Sequence, residues 1–339
     1  MKSKDFISSN FVIALPNATD PKVYLAIDSV KLASLSFLLY NPFSFKGKVF
    51  KWVFRTLCVH MNWLAKMVLP KVEFEESVFI QYLNNELKKE FTSSVYIATA
   101  KDKIVIQLIA DKAIYGYLKF PISPIGITRL KNEQLAFETL SKKGLVSNVL
   151  FYGNYNSIPF IILKNLEGII GQISNDEKRV VLDSFKKEHQ FLLKNHPRIN
   201  SLQKKLQIAQ FDDLTITLQT LIETSKIHYK EVFEHGDFAP WNLIRTKKGL
   251  VPFDFEYFTE NGLEHLDDIK FHYQVEFLLK GKRGTNLINA ISEKVEVAEF
   301  HIIFPVFLVK EILIKNETSE DFIYEFDLLK SHYMLHSST

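Results

Sequence analysis

The stretch from Glu234 to Glu256 constrains this chain more than any other. It reads EHGDFAPWN, then LIRTKKGLVPF, then DFE, and it spaces Asp237, Asn242 and Asp254 around a segment that can fold back on itself. Leu243 to Thr246 and Leu250 to Phe253 are short apolar-rich runs around Lys247-Lys248-Gly249, the pattern of a β-hairpin with a three-residue loop. Pairing Leu250 with Thr246 and continuing the register puts Asp254 opposite Asn242. An amide oxygen and a carboxylate then reach the same point, with Asp237 one short loop away. Such a set suits a hard cation such as Mg²⁺, which is held by one or two protein oxygens together with phosphate oxygens. A further acidic group beside the ion can accept a hydroxyl proton during phosphoryl transfer. An isolated His-Gly-Asp is common in ordinary turns, where Asp bonds the local backbone. The joint spacing H-G-D-x4-N, hairpin, D-x-E fixes residue type and position together, and points to chemistry.

EHGDFAPWN resembles the catalytic loop of the aminoglycoside phosphotransferase and choline kinase superfamily, whose members share the bilobal fold of protein kinases. DFEYFTEN is similar to the corresponding choline and ethanolamine kinase segment, over a match spanning roughly residues 90 to 275. The resemblance implies Asp237 as catalytic base, His235 as the residue that braces the loop, and Asn242 and Asp254 as Mg²⁺ ligands. Asp267 and Asp268 lie a residue or two beyond the place of a further structural Asp in that family.

Composition sets the outer limits. With 339 residues, 47% hydrophobic and 24% charged, the chain can bury a large core and form more than one lobe. A net charge of +3 is too mild to argue for a nucleic-acid partner. The single cysteine, Cys58, excludes an intrachain disulfide framework and fits a reducing compartment. The amino terminus carries only a short broken apolar run, which argues against a cleaved secretion signal. The sequence also has no long uncharged apolar stretch of the kind that spans a membrane. These features predict a soluble cytoplasmic protein.

Residues 1–90 form an extension of their own in this reading. Phe11 to Leu15 and Val23 to Ile27 look like strands split by a turn-rich segment. A long apolar segment from Val49 to Pro70 follows, and Lys48, Lys51, Arg55, Asn62 and Lys66 fall on one side of it at helical spacing. It is either a largely buried helix with one solvated stripe or a basic amphipathic helix lying on an anionic membrane surface or a partner enzyme. Glu73 to Phe91 reads as another helix.

Residues 91–166 change period. Ser94 to Ala100, Lys103 to Ala110 and Ala113 to Phe120 read as three consecutive strands. They resemble the start of a kinase amino-terminal lobe, which makes Lys119 the lysine that contacts the α- and β-phosphates of ATP. A buried ammonium needs a partner, and Glu133, in the amphipathic helix RLKNEQLAFETLSKKG, is the candidate. The turn from Thr99 to Lys103 has no glycine, unlike a kinase phosphate loop. Asn148 to Tyr152 and Phe160 to Leu163 read as a hairpin. IILKNLEG resembles the family's hinge, which implies that backbone groups of Lys164 and Leu166 bond the adenine.

Residues 167–339 look mainly helical. Asp176 to Asn195, Gln203 to Lys226, Leu266 to Lys280 and Ala290 to Phe304 have helical spacing, and Val306 to Ile314 could be strand or helix. The expected class is α+β and bilobal: a small antiparallel-sheet lobe and a mainly helical lobe, an ATP cleft between them, and an extra N-terminal region. The expected activity is ATP- and Mg²⁺-dependent transfer to a hydroxyl of an amino alcohol, aminosugar or sugar. Glu256, Glu260, Glu264, Asp267, Asp268 and Glu276 crowd the segment after the hairpin and would favour a cationic acceptor. The alternative is a catalytically silent kinase-like binding module. A metal-dependent hydrolase built on His235 and Asp237 lacks further histidines at ligand-like spacing.

Overall fold

The computed structural model describes residues 3–17, 19–42, 45–72, 77–97, 102–146, 149–171 and 173–333. The chain divides into two compact units, Met1–Leu130 with Asn148–Leu166, and Lys131–Ser147 with Glu167–Thr339. The class is α+β.

The first unit is built on one antiparallel sheet of seven strands. In chain order its elements are β1 (Val12–Leu15), β2 (Val23–Ala26), α1 (Val30–Ser36), α2 (Phe45–His60), α3 (Asn62–Val68), α4 (Val78–Leu87), β3 (Thr92–Ile97), β4 (Lys103–Ala110), β5 (Ala113–Pro121), the start of α5 (Pro124–Lys142), β6 (Val149–Tyr155) and β7 (Ile158–Lys164). The strand order is β1-β2-β3-β4-β5-β7-β6. The first ninety residues therefore extend this sheet, with Val23 opposite Tyr96 and Tyr24 opposite Val95.

Side chains that alternate across β1 and β2 supply two cores. Val12 and Tyr24 join Phe6, Phe79, Phe120 and Phe160 on one face. Ile13, Leu15, Val23 and Leu25 join Phe37, Cys58 and Ala65 on the other. Phe79 of α4 anchors the first core, 5.1 Å from Phe6, 5.3 Å from Phe120 and 5.6 Å from Phe160 between ring centres. Cys58 is the one fully buried residue of α2, whose other residues are half-buried or exposed, which removes the reading of a largely buried helix. Most of the turn between β3 and β4, residues 98–101, lies outside the described residues, and so do residues 73–76 at the start of the helix read from Glu73.

The second unit takes the rest of α5, then β8 (Ile169–Ile170), α6 (Asn175–Ser184), β9 (Lys186–Leu192), α7 (Pro197–Ile208), α8 (Asp212–Thr224), β10 (His228–Glu234), β11 (Leu243–Thr246), β12 (Gly249–Pro252), β13 (Thr259–Leu263), α9 (Leu266–Tyr273), α10 (Gly284–Ser292), α11 (Phe300–Glu317) and α12 (Ile323–His332). Two three-stranded sheets, β13-β10-β9 and β12-β11-β8, accompany the helices. The core gathers Leu202 and Leu206 of α7, Leu214 and Leu218 of α8, Ile269 of α9 and the buried run Ile302 to Leu313 of α11. A helix apolar on all sides belongs inside.

Four expectations are corrected here, the first being the helix read over Gln203 to Lys226, which is split because α7 ends at Ile208 and α8 begins at Asp212. The helix read over Asp176 to Asn195 ends at Ser184, after a Ser174/Glu177 capping box has started it. Its second half is β9, which pairs Phe191 with Tyr229 and Gln190 with Lys230; pairing with β10 overrides a local sequence that has no strand alternation. The segment Ala290 to Phe304 is broken between Ser292 and Phe300, and the segment left open at Val306 to Ile314 is helical, inside α11. The hairpin pairs Thr246 with Gly249, not Leu250, so its loop is Lys247-Lys248. Gly249 has φ of +122°, which allows the tight return, and the Thr246 hydroxyl accepts from the Lys248 amide and donates to the Gly249 carbonyl. Asn242 consequently faces Phe253, whose amide donates to the Asn242 carbonyl at 3.0 Å.

Candidate functional site

β10 ends at Glu234, which is buried and held by Arg198 at 2.8 Å and Lys310 at 3.2 Å. Burial alone would raise its carboxyl pKa, but the two cations outweigh that and hold it below the ordinary value. The chain then turns through Gly236 at φ of +83°, where an added Cβ would lie 2.3 Å from the Tyr257 carbonyl oxygen. Only glycine fits that turn.

The loop is clamped through its backbone. One oxygen of Asp267, in the first turn of α9, accepts from the His235 amide at 2.7 Å and the other from the Gly236 amide at 2.9 Å. Lys310 donates to the Gly236 carbonyl at 3.0 Å. Burial and the charge of Glu234 push the Asp267 carboxyl up to about 7, against the pull of Lys310 and the two amides.

His235 is buried, with both ring nitrogens on backbone groups. Nε2 donates to the Phe253 carbonyl at 2.9 Å, and Nδ1 accepts from the Asp237 amide at 3.4 Å, a pairing that fits the neutral ring. Burial lowers its pKa, against the raising effect of Asp237 and Asp254. Its ring packs 4.6 Å from Phe255 and 5.8 Å from Phe238. This geometry fits a residue that ties the loop to the end of the hairpin. A metal-ligand role would need a ring nitrogen that is already committed.

Asp237 is partly exposed at the tip of this loop. The Asn242 side-chain nitrogen donates to its carboxylate at 2.9 Å and to its carbonyl at 2.9 Å. The other carboxylate oxygen lies 3.3 Å from Lys270, which also bonds Glu311 at 2.6 Å. Burial would lower the Lys270 pKa, but Glu311 and Asp237 outweigh it and hold the ammonium above the ordinary lysine value. The carboxylate of Asp237 is thereby fixed from two sides. With its nitrogen used on Asp237, Asn242 has its carbonyl oxygen to offer an ion.

Asp254 adopts φ of +68° immediately after the hairpin. It gathers with Glu133 of α5 and Glu256, and one carboxylate oxygen from each lies within 4.8 Å of the others. Glu133 and Glu256 are buried. The Asn132 side chain donates to the Glu256 carbonyl at 3.0 Å, which ties α5 to this segment. Hard oxygens of this kind are the donor set that a divalent ion such as Mg²⁺ takes. The structure thus brings Asn242 to Asp237 and Asp254 to Glu133 and Glu256. In the first unit, Lys119 is buried in β5 between β4 and β7, opposite Val105 and Ile161. Lys164 ends β7 opposite Gly116, and Leu166 closes the unit.

The acidic segment is largely committed to internal partners. Glu276 is buried among Lys280, Lys282 and Lys294. Asp268 pairs with Lys178 and lies 3.6 Å from His272. Glu264 accepts from the Lys230 amide at 2.6 Å, and Asp267 serves the loop. Glu260 accepts from the Thr139 hydroxyl at 2.8 Å. The open anionic patch expected from sequence does not form, because most of these acids fill structural demands and Glu256 is buried beside Asp254, which leaves the half-buried Glu260.

Sequence reasoning missed three participants, Lys270, Lys310 and Glu311. Lys270 was visible as the only Lys or Arg between Asp254 and Glu276. Lys310 and Glu311 interrupt the apolar run IIFPVFLVKEIL, where a buried charge must have a partner. Asp267, noted in the sequence together with Asp268, is the one of the two that accepts from the loop amides, 31 and 32 residues away, and Asp268 turns to Lys178.

No family model matches the chain, and no curated protein matches it in sequence. Solved structures do. Macrolide 2'-phosphotransferase type I is 10% identical, over 78% of this chain and 99% of that one, with a TM-score of 0.49. The ADP-bound aminoglycoside phosphotransferase APH(2'')-Ib is 15% identical, over 75% and 96%, with a TM-score of 0.44. An ethanolamine kinase from Plasmodium vivax is 13% identical, over 90% and 94%, with a TM-score of 0.40.

Proposed function

We propose that this protein is a kinase-like phosphotransferase that uses ATP and Mg²⁺ to phosphorylate a hydroxyl of a small molecule. The observation that carries the reading is Asp237: a carboxylate at the tip of a backbone-clamped loop, oriented by Asn242 and Lys270, in a unit that also gathers the Glu133, Asp254 and Glu256 carboxylates. Asp237 orients the acceptor hydroxyl and takes its proton as the new bond forms. Asn242 holds that carboxylate in one rotamer, and Lys270 supplies a fixed positive charge beside it. His235, neutral and buried, keeps the loop against the hairpin.

Asn242, through its carbonyl oxygen, and Asp254 are the proposed Mg²⁺ ligands. Bound Mg²⁺ neutralises phosphate charge and aligns the transferring group. Lys119 is assigned to the α- and β-phosphates, and backbone groups of Lys164 and Leu166 to the adenine, on the resemblance of YGYLKF and IILKNLEG. Glu133 belongs with the carboxylate group of Asp254 in this reading. Amino alcohols, aminosugars and sugars are the acceptor classes, and any preference for a cation rests on Glu260.

A thermal-shift titration tests the core of this reading. ATP and Mg²⁺ together should raise stability more than either alone, by about 2.7 kcal/mol when free ligand is about 100 times Kd. Asp254→Asn should remove most of the Mg²⁺ contribution. No response of the wild-type protein to ATP with Mg²⁺ would leave the silent binding module as the better account.

A further inference from the structure

Between Asp28 and Glu73 the sequence holds seven Lys or Arg and no Asp or Glu. Those residues include α2 and α3, and α2 carries two apolar stripes at helical spacing. Phe50, Phe54, Leu57 and Cys58 pack into the core of the first unit with Ile13, Leu25 and Phe37. Phe45, Val49, Trp52 and Val53 repeat the same spacing on the opposite side and are 80%, 45%, 67% and 48% exposed. After a single intervening residue, α3 exposes Trp63 at 67% and Met67 at 74%. Two of the chain's three tryptophans therefore stand in water. Single exposed apolar residues are ordinary, but a helical stripe of them marks a contact surface.

Charge indicates what covers the stripe. Lys48, Lys51 and Arg55 follow one another at helical spacing along its flank, and Lys46 lies near its other border. A second copy of this chain would bring an equally cationic stretch against the first, with no acid in either to offset it. An anionic lipid surface offers negative headgroups for the flanks and an apolar layer beneath them, where tryptophan rings settle at the boundary. Among the described residues no helix is long and apolar enough to cross a membrane, so the contact lies in the plane of the surface.

We infer that α2 and α3 dock the protein on an anionic membrane surface, with Phe45, Trp52, Trp63 and Met67 entering the headgroup layer and Lys46, Lys48, Lys51 and Arg55 meeting the headgroups. The contact is peripheral and reversible, since the two helices are short and electrostatic attraction supplies part of it. It brings the protein to acceptors that are part of a membrane or are made there, and it operates without ATP.

The test is vesicle flotation of the full chain, without nucleotide, on phosphatidylcholine alone or mixed equally with phosphatidylglycerol. The protein should float with the mixed vesicles, its tryptophan emission should shift to the blue, and binding should fall as salt rises. Replacing Lys46 and Lys48 by Gln should weaken binding about five-fold per charge. Trp52→Ala with Trp63→Ala should weaken it at least about ten-fold. Circular dichroism of each variant establishes that these surface changes leave the fold in place. Failure of the wild-type protein to float with anionic vesicles overturns the inference, as does equal binding to neutral ones. A dimer in sedimentation that the tryptophan substitutions dissolve would assign the face to a second copy and overturn it too. Loss of ATP binding alone would bear on the proposed activity and leave flotation unchanged.

Discussion

Asp237 sits where chemistry and architecture can be separated. Its carboxylate accepts from Asn242 and faces Lys270, while the loop that carries it is held by contacts to the backbone of His235 and Gly236. Asp237→Asn keeps the size of the side chain and leaves Lys270 paired with Glu311. Turnover should fall by about 10²-fold or more in kcat, with melting temperature nearly unchanged. Steady-state kinetics beside a melting curve checks both halves, and a variant that keeps its rate would remove Asp237 from the reaction. His235 was legible at the same scale, because His-Gly-Asp with Asn at a fixed distance is a strong local pattern. Lys270 was not, because its meaning comes from Glu311, 41 residues away.

At the scale of elements, α11 does two jobs: it fills the core of the second unit and carries Lys310 beneath the loop. Lys310→Met preserves apolar length but leaves Glu234 with Arg198 alone and the Gly236 carbonyl without this donor. Removing one partner of a buried ion pair costs about 3–5 kcal/mol. Urea unfolding should show a loss of that order, and a loss under about 1 kcal/mol would mean that Arg198 suffices for Glu234. Strands with clear alternation, such as β4 and β5, and the hairpin of β11 and β12 were readable from sequence. β9 was not, since KKEHQFL becomes a strand through pairing with β10. The hairpin register was off by one residue because the backbone angle of Gly249, and not the apolar pattern, decides where the return occurs.

The whole molecule stores a pH dependence. Burial lowers the pKa of His196, His235 and His265, and burial together with Lys178 lowers His272 to about 4. In the unfolded chain these rings take protons near pH 6.5, while the folded rings resist. Their contribution is present above that pH and is lost as pH falls towards the folded values, at about 1.4 kcal/mol per pH unit for each proton. Asp267 works the other way: its carboxyl, raised to about 7, favours the folded state at low pH and loses that advantage as pH rises from 3.8. Four imidazoles outweigh one carboxyl, so melting temperature should drop between pH 6.5 and 4. His272→Gln should flatten that drop. If the variant's melting curve tracks the wild type across the window, His272 is not one of its causes.

The pairing of β2 with β3 also sets an order of events during synthesis. β1 and β2 leave the ribosome as a two-stranded ribbon, a form that is marginal in water on its own. The strand that next joins their sheet begins only at Thr92, after α2 and α3 have already been made. During that interval Phe50 and Phe54 can pack only on a ribbon whose neighbouring strand is still to come, and Trp52 and Trp63 stand in water. These rings emerge long before any part of the Asp237 loop, so a folding assay on ribosome-bound chains arrested between α3 and β3 should show them accessible to an apolar dye.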